Sequence, residues 1–121
     1  MSAAAVGDLG DVARRLLALA PWWREEQVDN IRQWLDEAAA LPSRQALARE
    51  EMRAAQDERD SLPVTHSTHQ RWFEVHRAAT VARMKCSALV REECSLLTAL
   101  EVELQWARMR HFARAAAASP Q

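Results

Sequence analysis

The sequence predicts an all-α fold, an elongated helical hairpin or small open bundle built on one long C-terminal helix (about 68–118) with two or three shorter helices before it. Three observations predict it. Residues 68–118 contain neither Gly nor Pro and are dense in Ala, Leu, Arg, Glu and Met, which lose least on entering a helix. The only glycines, Gly7 and Gly10, lie at the start of the chain. Pro21, Pro42 and Pro63 separate stretches whose apolar residues recur every three or four positions. One helix over 68–118 would run about 75 Å at 1.5 Å per residue, too long for a compact ball to hide. The 121 residues are therefore expected to form a single helical domain.

Met1 to Gly7 show no apolar pattern and are expected to fray. Asp8 is the predicted N-cap of a first helix over 8–20, with Leu9, Val12, Leu16 and Leu19 on one side. Pro21 ends it and suits the first position of a second helix, over 22–41. There Trp23, Gln27, Ile31, Trp34, Ala38 and Leu41 follow 4-4-3-4-3 spacing, and Glu25 and Glu26 favour the positive end of the helix dipole. Two tryptophans on one stripe need a large covering surface, a neighbouring helix or another protein.

Leu41-Pro42-Ser43 reads as a break, with Ser43 capping a third helix over 43–61. Its best apolar face, Leu47, Ala48, Met52, Ala55 and Leu62, is thin, and acids alternate with arginines around it. A turn this short also admits one broken helix of about 40 residues. Residues 62–67 form the predicted loop, and Ser67 with Gln70 forms a capping box for the long helix. Along that helix Val75, Ala79, Ala82, Cys86 and Leu89 lead to a shifted set, Leu97, Leu100, Leu104 and Ala107, so the seam is expected to slip at Glu93. A second stripe, Val102, Trp106, Met109 and Ala113, calls for a second neighbour.

Composition removes several function classes. Only Lys85 accompanies the 15 arginines, and the net charge of −1 does not suit a protein that coats nucleic acid by charge. No apolar run approaches the roughly 20 residues of a membrane span. The stretch VARRLLALA has the basic, apolar character of a mitochondrial leader, but Asp8 and Asp11 count against that reading. Cys86 and Cys94 lie about 12 Å apart along a helix, beyond disulfide reach, which favours a reducing intracellular site, cytoplasmic or cytoskeletal.

Nothing predicts catalysis. The chain has no Gly-rich phosphate loop and no G-x-S-x-G elbow, and Cys94 lies between Glu93 and Ser95, where a thiolate is disfavoured. The acids Glu92, Glu93, Glu101 and Glu103 read as a solvated helix surface. His66, His69, His76 and Cys86 lack the paired cysteines of a structural zinc site. No catalytic residue, metal or cofactor is therefore expected.

Two segments are locally basic: Arg71 to Arg91, and Arg108, Arg110, His111 and Arg114. Spacing of six scatters Arg71, Arg77 and Arg83 around the helix, which disfavours nucleic acid and leaves an acidic protein surface as the better match. The expected role is a non-catalytic structural or adaptor subunit. It would join other proteins, or copies of itself, through coiled-coil-like packing of the long helix. The expected contact residues are Leu100, Val102, Trp106 and Met109, with Trp23 and Trp34 as secondary anchors; the alternative place for all six is the chain's own core.

Overall fold

The computed structural model describes residues 2–118, with side chains from Leu9 onward. The fold is all-α, with no strand among the described residues. Helix α1 (Ser2–Ala18) is followed by two 3-10 turns (Ala20–Trp22 and Glu25–Gln27), α2 (Val28–Ser61) and α3 (His69–Ala118). The long Gly- and Pro-free stretch is one uninterrupted helix of 50 residues.

The shorter elements depart from expectation in three places. Helix α1 begins at Ser2, not Asp8, because Ala3, Ala4 and Ala5 carry helix propensity enough to extend it back through Gly7. Residues 22–27 are not α-helical. Trp23 and Arg24 are extended (ψ 144° and 127°), so the chain turns here before α2 starts at Val28.

The break expected at Pro42 is absent, and the two predicted helices over 22–41 and 43–61 are replaced by one helix of 34 residues with Pro42 inside it. The reason is the packing stripe. Ile31, Trp34, Ala38, Leu41, Gln45, Ala48, Met52, Ala55 and Arg59 alternate by three and four without a slip, and every one is buried or half-buried. Pro42 lies outside this stripe, exposed, so contacts before and after it hold the helix across its missing N–H. Pro42→Ala should therefore restore a backbone hydrogen bond to Ala38 and raise stability by about 2 kcal/mol, read as a higher urea midpoint. An unchanged or lower midpoint would show that the proline is accommodated without strain.

At the start of α3 the expected box of Ser67 and Gln70 does not form. Thr68 takes the capping place: its carbonyl accepts from the Trp72 N–H at 2.9 Å, and its hydroxyl donates to Pro63 O while accepting from the Thr65 N–H at 3.0 Å. Ser67 pairs with the Thr65 hydroxyl instead.

The predicted seam slip at Glu93 is also corrected. Val75, Ala79, Ala82, Cys86, Leu89, Glu93, Leu96, Leu100, Glu103 and Ala107 alternate by four and three, and each is buried or half-buried. Leu96 holds the position expected of Leu97, and Leu104 packs beside the stripe. Two glutamates stand at seam positions, which is why apolar residues alone suggest a shift.

The chain divides into two compact units, residues 1–40 with 93–121, and residues 41–92. In the second, residues 41–61 of α2 run antiparallel to residues 69–92 of α3. The pairs Arg44–Glu92 (2.8 Å), Glu51–Lys85 (3.4 Å) and Glu58–Arg71 (2.6 Å) descend along α3 as they climb α2. All are exposed, worth about 0.2–1 kcal/mol each, so they set register more than stability. The core between them is slim: Leu41, Ala48, Val75, Ala79 and Leu89.

The first unit is a three-helix packing. Leu9, Val12 and Leu16 of α1 join Ile31 and Ala38 of α2 and Leu96, Leu100, Leu104 and Ala107 of α3, with Leu16, Ile31 and Leu100 fully buried. Of the two apolar flanks of the C-terminal half of α3, these neighbours cover the one through Leu100, Leu104 and Ala107, while Val102, Trp106, Met109 and Ala113 stay exposed.

Candidate partner-binding surface

The polar centre of the first unit is built by the turn between α1 and α2. Because Trp23 and Arg24 are extended, their side chains reach in different directions. The Trp23 indole N–H donates back to Leu16 O at 2.8 Å, supplying an acceptor-capping bond near the end of α1. Arg24 reaches α3, where its guanidinium grips Glu103 through two parallel hydrogen bonds, Nε to Oε1 at 3.1 Å and Nη2 to Oε2. The same guanidinium lies over the Trp106 ring, 4.9 Å from its centroid. Two further contacts close the turn onto α3: Arg110 donates to Trp23 O at 2.7 Å, and the Trp22 and His111 rings meet at 5.3 Å.

Glu103 is only 4% exposed, so the expectation of a solvated acid there is corrected. A buried carboxylate is tolerated when it is paired and hydrogen-bonded, and the Arg24 fork does both. In return, the hydrogen bond to Glu103 raises the Arg24 pKa above its ordinary value. Desolvation opposes that rise, while the charges of Glu103 and Glu26 add to it. Neither residue was a candidate from the sequence. The available signal was position, since Glu103 falls on the four-three seam between Leu100 and Ala107.

The six residues expected at a partner surface separate into three groups. Leu100 is fully buried and belongs to the core of the first unit, so it is unavailable to a partner in this fold. Trp23 and Trp34 are half-buried, and Trp23 is further held by its bond to Leu16. Val102, Trp106 and Met109 remain 47%, 44% and 53% exposed, one turn apart on α3. These three form a row of large apolar side chains on one flank of the helix.

Other chemistry is thinly represented. Cys86 and Cys94 are free thiols, half-buried and exposed. His69 Nδ1 lies 2.9 Å from His66 O, and His76 stacks on Trp72 at 5.0 Å. No cluster of three or more His, Cys, Asp or Glu among the described residues is placed to hold a metal ion. No helix among them is long and apolar enough to cross a membrane. In residues 41–92, Arg71 bonds Glu58 and Glu74 while Lys85 bonds Glu51, which neutralises part of the basic stretch. No family model matches the chain, and no curated protein or solved structure matches it either.

Proposed function

We propose that this chain is a non-catalytic structural or adaptor subunit, joined to a larger protein assembly by coiled-coil-like packing of a partner helix on α3. The row Val102, Trp106 and Met109 carries the reading. Three large apolar side chains at helical spacing, each near half exposure, match the way one helix presents knobs to another. Trp106 suits the anchor: it is large, already steadied by Arg24, and 44% exposed. The free thiols Cys86 and Cys94 suit an intracellular setting, cytoplasmic or cytoskeletal.

Sedimentation of the purified chain tests the role. The expected result is concentration-dependent association through the row, reduced to monomer by Met109→Glu, with unfolding free energy altered by no more than about 0.5 kcal/mol because Met109 lies at the surface. A wild-type chain that stays monomeric at every concentration, with no response to Met109→Glu in any protein complex it enters, would remove the reading.

A second reading, association with nucleic acid through the arginine-rich long helix, draws on Arg77, Arg83 and Arg91, exposed and without a carboxylate partner among the described residues. Salt separates the two. Phosphate contacts lose affinity steeply with ionic strength, whereas apolar packing on Trp106 and Met109 does not.

A further inference from the structure

We infer that the groove between α1 and the last turns of α3 docks an acidic, amphipathic helix of a partner protein. This inference rests on the subunit reading but uses a different surface from the Val102–Met109 row. The groove has an apolar floor, Ala18, Leu19, Leu104 and Phe112, and a rim on which the cations Arg15 and Arg108 stand beside His111. Phe112 is 63% exposed and Leu104 only 7%, so Phe112 is the large apolar side chain of the lining that an occupant can cover.

Charge selects the occupant. Beyond Glu103, α3 carries Arg108, Arg110 and Arg114 and no acid as far as Ala118. Across the groove Arg14 and Arg15 share the single carboxylate of Asp11, at 3.5 and 3.2 Å. Arg110 is engaged with Trp23 O, whereas Arg108 and Arg114 are exposed and meet no carboxylate among the described residues. An apolar trough with surplus cations on its lips complements a helix whose leucine-type stripe is flanked by acids.

Other occupants fit less well. The acidic stretch of this same chain, Glu25 to Glu37, exposes no large apolar side chain, so a second copy would satisfy the rim and leave the floor empty. A flat bilayer surface would meet the arginines and Phe112 but would not follow the groove in to the half-buried Leu19. Nucleic acid would meet the cations and leave the apolar floor uncovered.

The test uses the full chain and three probes: a fluorescent designed helix with leucines at three-four spacing flanked by glutamates, the same helix with lysines in place of glutamates, and phosphatidylserine vesicles. The acidic helix is expected to bind and the lysine helix not. Arg108→Glu should weaken the acidic helix by about tenfold or more and let the lysine helix bind. Phe112→Ser, a second variant at an exposed site, should weaken it without charge change, and circular dichroism checks that both variants fold. Equal binding of both helices, vesicle binding without helix binding, or no binding at all overturns the inference. Loss on Val102→Glu but not on Arg108→Glu also overturns it, while moving the partner to the apolar row and leaving the subunit reading intact.

Discussion

Leu100→Ala is expected to destabilise the first unit by about 3 kcal/mol, within the range of roughly 2–5 for emptying a fully buried leucine site. Leu100 has no exposed surface, and it lies at a seam position of α3 among the α1, α2 and α3 residues that form the unit's core. The neighbouring change Val102→Ala, on a side chain 47% exposed, should fall within about 1 kcal/mol. Urea unfolding followed by circular dichroism gives both numbers. The contrast matters because the sequence placed the two residues in the same partner-binding group. A small loss at Leu100, comparable with Val102, would mean that Leu100 is not a core residue in solution.

The second large effect concerns Arg24 and Glu103. Arg24→Met should lower the melting temperature by more than Arg44→Met does, although each removes one cross-helix ion pair. The difference is the partner left behind. Glu92, the partner of Arg44, can turn to water, whereas Glu103 is buried and would keep a carboxylate with no counter-charge. Adding Glu103→Leu to the Arg24→Met chain should recover most of the loss, because an apolar side chain suits that seam position. Thermal melts of the two singles and the double close the cycle. Additive losses would show that the pair is not coupled and that Glu103 finds solvent by another route.

These two expectations lie where reading the chain in one dimension was least able to reach. Helix content was legible across residues 69–118, because propensity and the absence of Gly and Pro are local properties of that stretch. The apolar stripe Leu9, Val12 and Leu16 of α1 was legible too, as was the stripe through Ile31, Ala38 and Leu41. Pro42 misled because its local cost is real, yet packing of Leu41 on one side and Ala48 on the other outweighs it. Glu93 and Glu103 misled for a related reason. A charge on a seam looks like a break in the seam until the residue that pairs with it is known, and Arg24 lies 79 positions away.

What the sequence by itself determined is the helical class, the long uninterrupted α3 and the spacing of its stripe from Val75 to Leu89, all set by side-chain propensity and the 3.6-residue turn. Only the tertiary structure decided which flank of that helix is covered. It put Leu100 inside, left Val102, Trp106 and Met109 half open, and drew Arg24 onto Glu103. The physical reason is that burial is a property of pairs of surfaces. A helical repeat states which residues share a face, but the path of the turn after α1 determines which of those faces has a neighbour.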